Sequence, residues 1–182
     1  MKFMKLIAIL ILLSLLFSCE PDNSEMVITG SKNDNLEIVK LNPVISLPAY
    51  PFNASDSLDL NGDNLFEIKF IKFPIPSYTG FSTATLIVTQ NKTQILLSRF
   101  NDYPDSIPIN TPLEIDAFWS SDESSTFILQ SYTSDLKGPN IGNFINVIDK
   151  YIGYKKGKKI GWIKIDNSRN GDLKIKEYTV IK

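Results

Sequence analysis

The chain has 182 residues, with 19 Lys and Arg against 20 Asp and Glu, a single Cys and no His. Because no basic excess is available to neutralise phosphates, we expect no nucleic-acid partner. The lack of histidine excludes His-based triads and the usual zinc, copper and non-haem iron sites, and no nucleophile motif is present, so we expect no enzyme. A carboxylate pair of the glycosidase kind is the catalytic route that the composition leaves open, and no spacing singles out such a pair.

The first 18 residues have the layout of a secretory signal peptide. Lys2 and Lys5 precede an apolar run, residues 6–17, which Ser14 alone interrupts. This run is shorter than the ~20 residues that span a bilayer, and it ends at a small residue, Ser18. The pattern predicts export and removal of residues 1–18.

The end of this leader, Leu16-Phe17-Ser18-Cys19, resembles the lipobox of bacterial lipoproteins. Leu16 and Ser18 fit the motif, whereas Phe17 is bulkier than its usual occupant. The resemblance implies cleavage after Ser18, a diacylglyceryl thioether on Cys19 and an acylated amino terminus, which together anchor a protein stably to a membrane. The alternatives are an ordinary secretory signal with an incidental cysteine, or an uncleaved anchor. Since Cys19 is the only cysteine, a lipid on it leaves no thiol for disulfides, metals or catalysis.

Residues 19–35 are predicted to form a flexible acidic tether, and residues 36–182 a single β-rich domain. Glu20 and Asp22, close behind Cys19, resemble the surface-export signal of Bacteroidota lipoproteins, and this resemblance implies a location in the cell envelope at the outer membrane. The alternative is a plain acidic linker.

Short β-prone runs separated by turn residues fill the rest of the chain. Residues 66–70 alternate, which puts Phe66, Ile68 and Phe70 on one face and Glu67 on the other. The triplet at residues 90–92 is a hairpin signal, and so is Asn170-Gly171 before the last run, where a bulge near Glu177 would restore the alternation. Many short strands without intervening helices predict an antiparallel β-sandwich, jelly-roll-like, with a β-barrel as the alternative.

Residues 59–67 carry oxygen-bearing side chains at the first, third, fifth and ninth positions, as a hard cation such as calcium requires. The segment resembles the calcium-binding hairpin loops of integrin-type FG-GAP repeats. This resemblance implies a structural calcium ion bound by Asp59, Asn61, Asp63, the Leu65 carbonyl and Glu67. Two positions depart from the pattern: Asn64 replaces a glycine and Glu67 replaces an aspartate. The alternative is an exposed turn closed by bonds from side chains to the backbone.

Four aromatic residues offer a second candidate site: Trp119, Trp162, Tyr151 and Tyr154. Aromatic faces stack on sugar rings, so a row of them would suit a carbohydrate-binding accessory lipoprotein of a polysaccharide-uptake system. Alternatively, they are core or edge residues with a polar group to satisfy.

The carboxyl-terminal pattern Tyr151-Ile152-Gly153-Tyr154, then Gly161-Trp162-Ile163 and Lys176-Glu177-Tyr178, resembles a family of β-rich Bacteroidota lipoproteins. That resemblance implies kinship and location, and it brings no activity or catalytic residues. The sequence as a whole therefore predicts a lipid-anchored envelope protein with a binding or structural role, whose partners are the membrane and either a glycan or another envelope protein.

Overall fold

The computed structural model describes residues 26–48, 53–75, 82–121, 123–133, 141–168 and 172–181. These ranges contain strands and no helix, so none of the described residues belongs to a helix that could cross a bilayer. The strands are β1 (Val27–Ile28), β2 (Leu36–Leu47), β3 (Ala54–Leu58), β4 (Ile68–Ile75), β5 (Ser82–Thr89), β6 (Thr93–Ile95), β7 (Pro112–Leu113), β8 (Thr126–Thr133), β9 (Val147–Lys156), β10 (Lys159–Asn167) and β11 (Leu173–Ile181).

The strands form an antiparallel β-sandwich, which confirms the predicted fold class. One sheet has the order β2-β11-β10-β9-β6 and the other has the order β3-β4-β5-β8, while β1 pairs with β7. Within the described ranges both large sheets are open at their edges, so the barrel alternative is not adopted. Four of the ten consecutive strand pairs are neighbours in a sheet, and they form two three-stranded meanders, β3-β4-β5 and β9-β10-β11. The connectivity is therefore not the double Greek key of a jelly roll.

Alternating apolar side chains fill the space between the two sheets. Ile68 and Phe70 of β4 are fully buried, as are Ile163 and Ile165 of β10, and all four belong to one hydrophobic cluster. Each buried side chain of this size stabilises the fold by ~1.5–3 kcal/mol relative to an exposed one. The buried side chains that recur at every second residue therefore hold the two sheets together.

A covering layer lies on the other side of the five-stranded sheet; we use this name for residues 26–31 and 96–118. Trp162 alternates with Ile163 and so points away from the inner core, yet it is fully buried. Its indole Nε1 donates to the Ser31 carbonyl at 3.4 Å. Next to it on β9, Gly153 leaves just enough room for Leu96 and Ile107, whose side chains would lie 3.2 and 3.3 Å from a Cβ at that position. The sandwich is thus three layers thick at this point.

The predicted tether boundary at residue 36 is wrong, because the ordered domain already includes β1. Val27 pairs with Leu113, and Thr29 is fully buried. The Thr29 hydroxyl donates to the Pro108 carbonyl at 2.7 Å and accepts from the Thr111 N–H at 3.0 Å. These bonds attach residues 26–31 to residues 96–118 within the covering layer. The signal peptide, Cys19 and the Asn170-Gly171 turn lie outside the described residues.

Two predicted hairpins have different outcomes. The predicted bulge near Glu177 is confirmed, since Lys164 pairs with Glu177 while the next residue of β10, Ile165, pairs with Ile175. The hairpin predicted at residues 90–92 is wrong: β5 pairs with β4 and β8, whereas β6 pairs with β9. Asn91 and Lys92 do have the left-handed φ values of a tight turn, 53° and 59°, and the turn carries the chain from one sheet to the other.

Candidate metal site

The 59–67 loop connects β3 to β4, and the Asp59 carboxylate organises its first half. Oδ1 accepts hydrogen bonds from the N–H groups of Asn61 (3.2 Å) and Gly62 (2.7 Å), and Oδ2 accepts one from Asn64 (2.7 Å). Gly62 and Asn64 have φ values of 76° and 66°. Asn64 is therefore in the left-handed conformation, which explains why Asn can replace glycine there.

The Asp63 carboxylate organises the second half of the loop. Its Oδ1 accepts from the Leu65 N–H at 2.8 Å, and its Oδ2 accepts from the Asn61 side-chain amide at 2.8 Å. The Asn61 amide oxygen in turn accepts from the Asp63 N–H at 3.2 Å. Asn61 and Asp63 are therefore hydrogen-bonded to each other, with the Asn61 amide nitrogen facing the Asp63 carboxylate, while the Leu65 side chain is exposed.

Glu67 closes the loop from inside the protein. Its side chain is fully buried; Oε2 accepts from the Leu60 N–H at 2.7 Å, and Oε1 forms an ion pair with Lys156 Nζ at 2.7 Å. Lys156 ends β9, so this ion pair joins the loop to the other sheet. Glu67 stands where the FG-GAP pattern has an aspartate, and its longer side chain is the one that reaches Lys156 of the other sheet.

The predicted orientation of Phe66 and Glu67 is wrong. Phe66 is 54% exposed, whereas Glu67 is buried. The alternation holds from Ile68 onward, where pairing with β3 begins at Leu58. Glu67 precedes this ladder, so its side chain follows the loop and its hydrogen bonds instead of the strand alternation.

Three carboxylates of the loop lie close enough together for one hard cation to contact all of them. Carboxylate oxygens of Asp59, Asp63 and Glu67 all lie within 4.8 Å of one another. Two oxygens on opposite sides of one calcium ion, each at ~2.3–2.6 Å, are about 5 Å apart. The structure therefore brings together three of the five predicted ligand residues at a separation that one ion could bridge, although Lys156 already occupies Glu67 Oε1.

The electrostatics of the loop keep Asp59 ionised. Partial burial raises the pKa of the Asp59 carboxyl. Hydrogen bonds from the backbone N–H groups of Asn64, Gly62, Asn61 and Asp63 together lower this pKa by more, so that it lies below the usual value. A ligand that stays deprotonated does not need to release a proton when a cation binds.

Three of the four predicted ligand-binding aromatics are buried. Tyr151 and Trp162 pack edge to face beneath the covering layer, with ring centroids 5.2 Å apart. Tyr154 points into the inner core, where its hydroxyl donates to the Thr179 carbonyl at 2.6 Å and burial raises its pKa. No face of these three rings is open to a sugar, because the covering layer hides two of them and the opposite sheet hides the third.

Trp119 is partly buried and also engaged on one side. The Lys155 ammonium lies 5.2 Å from the centroid of its ring, a cation–π contact, and its indole N–H donates to the Glu114 carbonyl at 3.1 Å. The four aromatics thus form no exposed row, which removes the observation on which the sugar-platform hypothesis depended.

Two features of the molecule were not found by sequence reasoning. The covering layer contains a cavity of about 330 Å³ that is open to solvent on one side. Its lining includes Leu97, Arg99, Phe100 and Phe118. Lys72 of β4 is fully buried between the sheets, where its Nζ contacts the Leu47 carbonyl at 3.5 Å. Burial lowers the pKa of Lys72 to about 8, although the nearby Asp172 charge opposes this shift. In the sequence, the prolines between residues 104 and 112 are the signal that indicates the irregular backbone of the cavity wall.

Comparison with known proteins adds no relative to this description. No family model, no curated protein and no solved structure matches the chain. The interpretation of the site therefore depends on its own residues: a loop between two strands whose carboxylates converge and whose last carboxylate ties it to the neighbouring sheet.

Proposed function

We propose that the protein is a lipid-anchored component of the cell envelope, at the outer membrane, with a binding or structural role and a structural calcium ion in its 59–67 loop. The observation that carries the calcium assignment is the convergence of the Asp59, Asp63 and Glu67 carboxylates within 4.8 Å. The anchor assignment is supported by Leu16-Phe17-Ser18-Cys19 at the end of the leader. Kinship with Bacteroidota lipoproteins is part of the same proposal.

The chain's own residues define what a bound cation would do. Asp59 and Asp63 hold the loop backbone in a fixed, left-handed turn, and Glu67 connects that turn to Lys156 of the other sheet. A calcium ion supplies positive charge among three carboxylates and so lowers their mutual repulsion. The expected role is to stiffen a junction between the two sheets.

The calcium proposal is tested by thermal unfolding of the full mature chain. Calcium at 100 times its dissociation constant should stabilise the native state by about 2.7 kcal/mol. For a domain of this size that corresponds to a rise in Tm of roughly 5–10 °C. Magnesium should have a smaller effect, because it demands a tighter octahedral shell.

The double variant D59N/D63N should lose the calcium-dependent rise in Tm. A matched control, D102N/E123Q, removes the same charge from exposed positions outside the loop, and Asn suits the left-handed φ of 54° at residue 102. The control should keep the full rise. Equal Tm values for the wild-type protein with calcium and with a chelator would refute the calcium site.

The anchor is tested by intact-mass analysis of the protein purified from a bacterium that processes lipoproteins. The expected product starts at Cys19 and carries the mass of the diacylglyceryl group and the amine-linked acyl chain. The C19S variant should keep its leader and carry no lipid. A wild-type product with a bare Cys19 would remove the envelope assignment.

The carbohydrate-binding alternative needs a surface other than the four aromatics, because Trp162, Tyr151 and Tyr154 are buried. No described residue set favours it over a structural role. A glycan array probed with the mature chain tests it directly, and saturable binding to one glycan class would replace the structural role with carbohydrate recognition.

A further inference from the structure

From the distribution of exposed apolar side chains, we infer that the covering layer is the face with which the domain lies against the lipid bilayer. The inference rests on the proposed lipid anchor and goes beyond it, because it identifies the part of the domain that meets the membrane. Exposure, connection to the tether and tether length each support it.

The covering layer exposes large apolar side chains that contribute little to the fold. Phe100 is 98% exposed, Met26 65%, Ile109 55% and Phe118 44%. These are half of the eight large hydrophobic residues that are exposed within the described ranges, and they all lie in one layer. Exposed apolar groups gathered in this way on a soluble domain indicate a contact surface.

Two of these side chains border the cavity, and Met26 and Ile109 lie in chain segments beside it. Phe100 and Phe118 line the cavity together with Pro112 and Leu113 of β7. β1 pairs with β7, which places Met26, the residue before β1, beside the same strand. The Ile109 side chain lies against Gly30, with its Cγ1 3.0 Å from the position that a Cβ would occupy there.

The segment that would carry the lipid enters the domain at this face. Seven peptide steps separate Cys19 from Met26, so the lipidated residue is at most about 25 Å from Met26, the residue before β1. A short connection of this kind holds the covering layer at a high effective concentration near the bilayer, and weak surface affinity is then enough for contact. A soluble partner gains no such advantage from the anchor.

The composition of the rim suits the interfacial region of a bilayer. Phe100 is at the tip of a turn and can insert among acyl chains, while the neighbouring Arg99 is exposed and can reach anionic headgroups. The covering layer also contains Asp102, Asp105, Glu114 and Asp116, so its net charge is negative and draws it to no anionic lipid. Apolar insertion, rather than net charge, is therefore the expected attraction.

The test introduces a tryptophan at the tip and measures its quenching by lipid. F100W and, as a matched control, F66W each replace an exposed phenylalanine, and Phe66 lies on the 59–67 loop outside the covering layer. The lipidated variants are reconstituted in vesicles of phosphatidylethanolamine and phosphatidylglycerol that contain phosphatidylcholine brominated on its acyl chains. Emission is compared with that of the wild-type protein, which carries Trp119 and Trp162 alone.

We expect bromine to quench the added emission of F100W at least about twofold more than that of F66W, because only a ring at the acyl-chain level meets the bromine atoms. Equal quenching in protein whose mass confirms acylated Cys19 would overturn the docking face and leave the anchor intact. A blue-shifted but unquenched F100W would also overturn it, since the tip would then be covered by protein. A bare Cys19 would overturn the anchor and this inference together.

Discussion

The 59–67 loop and the covering layer are both irregular segments, and they are stabilised in opposite ways. The loop is held by polar side chains that bond to nearby backbone groups, with Asp59 alone accepting three N–H bonds. The covering layer is held by burial of its underside on Trp162 and Tyr151, while its outer side exposes Phe100. Local bonds between near neighbours can be predicted from sequence, whereas packing between distant segments cannot.

The largest expected effect comes from removing the aromatic support of the covering layer. Trp162→Ala should lower the free energy of unfolding by about 3–5 kcal/mol, since a fully buried indole is lost and a cavity remains. Urea unfolding followed by circular dichroism measures this change. A loss below about 1 kcal/mol would mean that the layer is not packed on the sheet as described.

The second-largest loss of stability should follow from breaking the ion pair that links the loop to the other sheet. Glu67→Gln keeps the shape of the side chain but removes the charge that pairs with Lys156, whose side chain is 27% exposed. We expect a loss of about 2 kcal/mol, less than for a fully buried pair because water can partly solvate Lys156. The double variant E67Q/K156M should recover part of the loss; full additivity of the two single changes would argue against a direct ion pair.

Lys72 offers a contrast with Glu67, since its ammonium group is buried against a backbone carbonyl, that of Leu47. Lys72→Met should raise the free energy of unfolding by on the order of 1–2 kcal/mol near neutral pH, because the cost of burying an ammonium group disappears.

The pH dependence of this effect has a definite sign. The pKa of Lys72 is about 8 in the folded protein, below its ordinary value of 10.5, so the folded state loses this proton first as the pH rises. Between about pH 8 and 10.5 the free energy of unfolding of the wild-type protein should therefore rise relative to that of K72M. Because K72M is the more stable protein near neutral pH, the difference between the two free energies should become smaller. A gap that is constant from pH 7 to pH 10 would show that Lys72 is not titrating in this range.

The smallest expected effect is at the tip of the covering layer. Phe100→Ser should change the free energy of unfolding by less than about 0.5 kcal/mol, because the side chain is 98% exposed and makes no core contact. Urea unfolding of the soluble protein checks this value. A larger loss would mean that Phe100 packs within the domain, and it would weaken the argument for a docking surface.

The fold class was predictable because period-two alternation in β4 directly records which side chains are buried. The bulge at Glu177 was also predictable, since it appears in the sequence as a slip in that alternation. Loop positions such as Asn64 follow from local backbone preferences. These features all depend on residues that are close together in the chain.

The wrong predictions share a dependence on distant contacts. The turn at residues 90–92 has hairpin-like residues, and only the pairing of β6 with β9 shows that it links two sheets. Thr29 belongs to the domain because Thr111 and Pro108, far along the chain, bind it. Trp162 is hidden because a third layer covers the outer side of its sheet. No window of the sequence contains such information.

The position of β1 also determines how the domain would respond to a mechanical load. A pull applied through residues before Val27 reaches a two-residue strand before it reaches either large sheet. Rupture of that strand and of the Thr29 bonds would detach the amino-terminal segment and withdraw the Ser31 carbonyl from Trp162 Nε1. The indole would then gain access to water while the two main sheets kept their pairing, so its emission would report tension at the amino terminus before global unfolding.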